Sequence, residues 1–159
     1  MKRTPLDGMN CSIARSLDIV GEWWTLLIVR DVFLGLRRFE QIRQDLGVSR
    51  KVLSDRLGTL VERGVLEKVP VGRGFEEYRL TPKGVDLHAV IVAVKQWGDT
   101  WEAPEGPPLD LVHECGNVVR ARTVCDCCGT DVNARNVTPR PGPGARRRSS
   151  STDRSRSIS

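Results

Sequence analysis

The chain predicts a mainly α fold with one small β-hairpin, and three stretches carry that prediction. From Phe39 to Gly64, FEQIRQDLGVSRKVLSDRLGTLVERG spaces two short amphipathic segments around a tight LGVS turn. VLEKVPVGRGFEEYRL then reads as two strands joined by a Gly-Arg-Gly tip, and after Thr81-Pro82 a longer helix with an apolar stripe begins. Two helices across a tight turn, followed by a hairpin, are the outline of a winged helix-turn-helix.

Taken in order, Ser12 to Val20 is the first predicted helix, with Ile13, Leu17 and Val20 on one face and Gly21 interrupting it. A second helix follows, apolar almost all round through Trp23, Trp24, Leu26, Leu27, Ile28, Val29, Val32, Phe33 and Leu34, which predicts burial on several sides. The Trp23-Trp24 pair is expected in the core, because large aromatics dominate core burial; a ligand cage or stacking platform is the other reading.

In the third helix Phe39, Ile42 and Leu46 form a narrow apolar stripe while Glu40, Gln41, Arg43 and Gln44 stay wet. Gly47 suits the left-handed position after a helix, and Ser49 is a good N-cap, so a fourth helix starts at Arg50. There Leu53, Leu57 and Leu60 lie within about 60° of one another at 100° per residue and make the buried face. Lys51, Ser54, Asp55, Gly58 and Thr59 point the other way, with Arg50 in the first turn. A donor-rich face of short side chains suits a major groove, whose base edges Arg, Lys and Ser can read; the bland alternative is a solvated face.

The strands Val65 to Val69 and Phe75 to Leu80 are rich in β-branched and aromatic residues, and Gly72 and Gly74 permit the positive φ of a tight turn. Arg73 is left at the tip, where it can meet the negative potential of a minor groove or simply be solvated. Thr81 can cap and Pro82 fits the first position of a long helix expected to run to about Trp101. Leu87, Val90, Val94, Trp97 and Trp101 alternate steps of three and four, the spacing of a coiled-coil seam. The stripe could pack within the chain, but its helix lies outside the compact winged unit, so a second copy is the economical cover.

The run from CSIARSLDIVGEWWTLLIVRDVFLGLRRFEQIRQDLGVSRKVLSDRLGTLVERGVLEK through EYRLTPKG to QWGDTW resembles the HxlR-type winged-helix transcriptional regulators, relatives of the MarR-like regulators. Its most specific pieces are Gly21 to Thr25, Arg38-Phe39, Ser49 to Leu57 and Tyr78 to Gly84. The resemblance covers about residues 11–108 and implies a homodimeric regulator that binds double-stranded operator DNA, with repression by promoter occlusion the better guess. The candidate DNA contacts are then Arg38, Ser49, Arg50, Lys51, Ser54, Arg56 and Arg73. Cys11 matches the position of an N-terminal cysteine that some relatives use to sense oxidants or electrophiles. A thiol near a helix N-terminus feels a positive dipole, though free cysteine is also among the most buried residue types.

Ala103-Pro104-Glu105-Gly106-Pro107-Pro108 reads as a linker, and residues 109–137 as a small Cys/His segment with turn glycines Gly116 and Gly129. HEC-x9-CDCC offers His113, Cys115, Cys125 and Cys128 as a zinc-ribbon-like set, with Cys127 spare. A structural zinc, a thiol redox site and reduced inert thiols all remain open at this point. A thiol- or metal-responsive sensor using Cys125 and Cys128 is accordingly the alternative function. A thiol oxidoreductase finds no support, because the cysteines do not sit at a helix start after a strand, and no nucleophile-base pairing marks a hydrolase. A winged helix serving protein contact alone would lack the basic face at Arg50, Lys51 and Ser54.

Net charge is +5, unevenly spread: Ala134 to Ser159 has seven arginines and one acid, whereas Arg37 to Lys83 is net +4 and Gly84 to Asn133 net −5. Basic charge thus falls on the expected reading domain, where phosphate contacts need it. Residues 138–159, dominated by Pro, Gly, Ser and Arg, are expected to be a disordered tail. No apolar run approaches the roughly 20 residues that span a bilayer, and Met1 to Asn10 has no signal-peptide core, so a cytoplasmic address without membrane contact is expected.

Overall fold

The computed structural model describes residue 6 and residues 9–145; the expected tail therefore lies, from residue 146 on, outside the described residues. The elements run α1 (Ser12–Val20), α2 (Trp23–Phe33), α3 (Phe39–Leu46), α4 (Arg50–Glu62), β1 (Leu66–Pro70), β2 (Glu76–Leu80), α5 (Pro82–Val85) and α6 (Leu87–Trp101). This is a winged helix-turn-helix. The α3–α4 turn forms as its residues require: Gly47 takes φ 63°, and the Ser49 hydroxyl accepts the Val52 amide at 3.3 Å.

The core gathers Ile28, Val29 and Val32 of α2, Ile42 of α3, Leu53, Leu57 and Leu60 of α4, and Val65, Leu66 and Tyr78 of the wing. The leucine stripe of α4 is fully covered, as its periodicity predicts. Asp31 is buried among these residues. Its Oδ1 takes two hydrogen bonds from Arg30 and its Oδ2 has no partner, so burial pushes its pKa up against the pull of Arg30. Arg30 also reaches Asp45 at 2.9 Å, tying α2 to α3.

The wing is a two-stranded antiparallel hairpin with Leu66 opposite Leu80 and Lys68 opposite Tyr78. The Tyr78 amide donates to the Arg37 carbonyl at 2.8 Å, which anchors the hairpin to the chain entering α3. At the base of the wing, the Thr81 hydroxyl donates to the Gly64 carbonyl at 2.6 Å and accepts the Gly84 amide at 3.2 Å. Lys83 Nζ donates to the Arg63 carbonyl at 2.8 Å, satisfying the end of α4. Gly84 lies so close to β1 that a Cβ on it would stand 2.2 Å from the Val65 carbonyl oxygen. Only glycine fits there.

Two expectations are corrected. The single helix from Pro82 to Trp101 is two: the first turn, clamped by Thr81 and pressed on Val65, ends at Val85, and α6 restarts at Leu87 beyond Asp86. The Trp23-Trp24 pair does not share the core, since Trp24 packs against it while Trp23 is 88% exposed. An all-round apolar helix therefore turns one large aromatic outward.

α6 meets α2 through an edge contact between His88 and Phe33 at 4.9 Å. After α6 the chain makes two tight turns, closed by the bridges Val112–Val118 and Val124–Asp131. The stretch between them is held on α6 by the Gln96 side-chain amide, which donates to the Ala121 carbonyl at 3.1 Å and accepts the Ala121 amide at 2.8 Å. Arg122 and Asp131 form a bidentate pair across the second turn at 3.0 and 2.7 Å. Among the described residues no helix is long and apolar enough to cross a membrane.

Candidate nucleic-acid interface

The surface opposite the leucine stripe of α4 presents Arg50, Lys51 and Ser54, all exposed, with Ser49 at the cap. Because Leu53, Leu57 and Leu60 fix the helix by burial, this polar face is held at a set angle to the rest of the domain. Arg73 stands exposed at the wing tip with φ 51°, between Gly72 at 89° and Gly74 at 78°. A non-glycine residue in the left-handed region is uncommon and carries a steric cost. Flanking glycines let the chain absorb the turn, and the arginine is thrown outward.

The start of α3 joins the wing to α4. Arg38, at the N-cap, lies over the Phe75 ring at 5.8 Å, and Arg50 lies over Phe39 at 5.2 Å. An open cleft of about 620 Å³ lies between the start of α3 and the wing, lined by Arg38, Phe39, Glu40, Phe75 and Tyr78. Glu40 pairs with Arg43 at 2.8 Å and also hydrogen-bonds Arg50, so those guanidiniums hold its carboxyl below the usual range, Arg43 first. Glu40 was not among the sequence candidates. Its pairing with Arg43 is a readable i,i+3 contact, but its hold on Arg50 crosses the turn, and helical spacing gives no sign of it.

Arg56 separates from the other candidates. It sits beside the buried stripe, half-buried, and pairs with Glu22 at the start of α2 at 3.7 Å. The structure thus assembles Arg38, Ser49, Arg50, Lys51, Ser54 and Arg73 on the α3–α4–wing surface and places Arg56 between α4 and α2.

The seam residues of α6 are largely uncovered in the protomer: Val94 is 54%, Trp97 60% and Trp101 71% exposed, and Val90 is exposed as well, while Leu87 packs on the core. Ile13 and Leu17 of α1 are likewise exposed. Cys11 is the N-cap of α1, half-buried, and its side chain makes no capping hydrogen bond.

The expected metal set does not come together. His113 Nδ1 accepts the Cys115 amide at 3.2 Å and Cys115 Sγ meets Asn117 at 3.4 Å, so the first turn satisfies its own polar groups. That hydrogen bond lowers the Cys115 thiol pKa. In the second turn, hydrogen bonds from Thr130 and then Cys125 lower that of Cys128. Among the described residues, the group of three or more candidate ligands that does converge is Cys125, Asp126 and Cys127, with ligand atoms within 4.8 Å of one another. The CDCC turn concentrates ligands by itself, and His113 and Cys115 take no part in that group.

Residues 19–106 match the HxlR-like helix-turn-helix family. The chain is 51% identical over 137 residues to the HTH-type transcriptional regulator Rv3095 of Mycobacterium tuberculosis, covering 84% of this chain and 87% of that protein. It is 32% identical over 108 residues to the HTH-type regulator sll1512 of Synechocystis, covering 66% of this chain and 80% of that one. Among solved structures it is similar to PA1607, described as a candidate transcription factor, with a TM-score of 0.80 at 36% identity over 87% of this chain and 100% of that one. PA1374 from Pseudomonas aeruginosa gives a TM-score of 0.60 at 38% identity over 86% of this chain and 96% of that one. Residues 1–106 make up two thirds of the chain, so a match over 87% of it takes in part of the segment after α6.

Proposed function

The chain belongs to the HxlR-like helix-turn-helix family, and from that premise we propose that it works as a homodimeric repressor, each protomer offering α4 and its wing to one half of an operator. Like its relatives it is a transcriptional regulator with a helix-turn-helix DNA-binding domain, and not an enzyme. The observation that carries the contact assignment is the division of α4, with Leu53, Leu57 and Leu60 sealed in the core and Arg50, Lys51 and Ser54 exposed on the other side. The α4 residues enter the major groove, Arg73 reaches a minor groove, and Arg38 holds a phosphate beside them. Lys51→Ala and Arg73→Ala should each cost on the order of 1 to 3 kcal/mol if the side chain reads a base, or reduce the salt slope by about one if it holds a phosphate. Binding isotherms on operator DNA at several salt concentrations check this. Unchanged affinity and slope in both variants would remove the assignment.

Dimerisation is supported by the uncovered stripe on α6 and by Ile13 and Leu17 of α1, which a second copy can bury together. Two linked heads lengthen the DNA contact, and a bound dimer occludes a promoter, which is the repressing action proposed in the cytoplasm. Cys11, at the head of α1, is the proposed sensor, because a modified side chain there would disturb that helix and with it the spacing of the heads. Operator binding by Cys11→Ser, before and after diamide and with the other four cysteines replaced, tests that role.

A further inference from the structure

We propose that the Cys125–Cys128 turn is by itself a binding site for a thiophilic divalent metal ion, with Cys125, Asp126 and Cys127 as ligands and Cys128 adjoining them. The turn is built before any ion arrives. The Gly129 amide donates to the Cys125 carbonyl at 2.7 Å and the Cys125 amide to the Thr130 carbonyl at 2.9 Å, closing a loop from which the side chains emerge together. The Val124–Asp131 bridge and the Arg122–Asp131 pair fasten its base.

Three ligand atoms, two sulfurs and a carboxylate oxygen, already lie within 4.8 Å of one another. Ligands at about 2.3 Å around a tetrahedral zinc stand about 3.8 Å apart, so closing on an ion needs side-chain movements of about 1 Å. Cys128 is the next residue of the same turn, its Sγ 3.0 Å from the Thr130 hydroxyl, and can follow. The donor set of up to three thiolates and one carboxylate is soft and anionic, which favours zinc or cadmium over magnesium or calcium. The surrounding region is net −5 from Gly84 to Asn133, which favours a cation further.

The segment also has a use for such an ion. Val112, Val118, Val124 and Val137 are all exposed, and the two turns are held by backbone pairing, by exposed polar contacts such as Arg122–Asp131, and by the Gln96 clamp on α6. A stretch with so little buried surface gains stability from a crosslinking metal.

The test uses the full, reduced and metal-free chain titrated with Cd2+, read by the ultraviolet sulfur-to-cadmium charge-transfer band, with Zn2+ as competitor. Native mass spectrometry counts the ions. One ion per chain is expected. Cys125→Ser and Cys127→Ser should weaken binding by more than the roughly 10 to 100-fold that loss of an outer-shell partner costs. His113→Ala and Cys115→Ser should bind as the unsubstituted chain does. Far-ultraviolet circular dichroism controls for folding, and the thiols lie outside the core, so helix content should hold in every variant. No uptake by the unsubstituted chain overturns the proposal. So does loss of binding in His113→Ala or Cys115→Ser, which would assign the ion to a site spanning both turns.

Discussion

Helices α4 and α6 carry apolar stripes of the same kind and meet opposite fates. Leu53, Leu57 and Leu60 of α4 are covered to the last few square ångströms, whereas Val90, Val94, Trp97 and Trp101 of α6 lie open in the protomer. Periodicity in a sequence therefore tells that a face needs a cover and not which body supplies it. α4 is covered by α2, α3 and the wing of its own chain, all within a short stretch of sequence. α6 extends past that unit; the segment that follows is clamped on it through Gln96, and the stripe of Val90, Val94, Trp97 and Trp101 is the face that the proposed second copy would cover.

Substitutions can break this contrast. Val94→Asp should leave the protomer folded, because the side chain is exposed there, and should dissociate the dimer, because an unpaired buried carboxylate at the seam costs about 3 to 5 kcal/mol. Sedimentation shows the change; an intact dimer of the folded variant would locate the interface elsewhere. Leu53→Ala should do the reverse, lowering unfolding stability by about 2 to 5 kcal/mol through the cavity it leaves, without altering the association of the molecules that remain folded. Denaturant titration at two protein concentrations separates the effects.

Asp31 sharpens the contrast within the core. Its folded-state pKa lies above the unfolded value, so the unfolded chain releases its proton first as pH rises. The stability it contributes is whole below the unfolded pKa and is lost as pH climbs through the raised one. Stability measured from mildly acidic to neutral pH should therefore fall with a component that Asp31→Asn abolishes. The smallest expected effect is at the other cover of α6: Gln96→Ala removes two hydrogen bonds of about 0.5 to 1.5 kcal/mol each at most. Amide exchange should rise at Ala121 and its neighbours while global unfolding barely shifts.

Much of the fold was legible in the sequence, and the reasons are local. α1 ends where Gly21 interrupts it, α3 ends at Gly47, Ser49 caps α4, and the wing turns at Gly72 to Gly74, all signals that act within a few residues. The chain still paired in ways spacing could not reveal. Trp23 faces outward because the contacts of α2 leave one side open, and Arg56 is drawn to Glu22 from a helix away. The break at Asp86 arises where Gly84 meets Val65, a contact between residues far apart in sequence. The candidates Arg50, Lys51 and Ser54 were readable from the polar side of one helix, and Arg73 from the glycines that flank it. Glu40, which holds Arg50, was not, because its partner lies across the turn. The convergence of Cys125, Asp126 and Cys127 in place of a four-ligand set follows from backbone closure of each turn on itself, which ligand spacing does not encode.

The close approach of Gly84 to the Val65 carbonyl, braced by Thr81 and Lys83, is the hinge pin between the reading head and α6. With 15 residues, α6 is a lever about 22 Å long. If its far end is fixed against a second copy, a tilt of about 10° at the pin displaces the head by about 4 Å, roughly one base-pair step along a strand. Operator half-sites are spaced in whole helical turns, so such a displacement puts the two heads out of phase with the grooves. A side chain as small as alanine at position 84, far from any base, would thus act on the DNA register and not on the chemistry of contact.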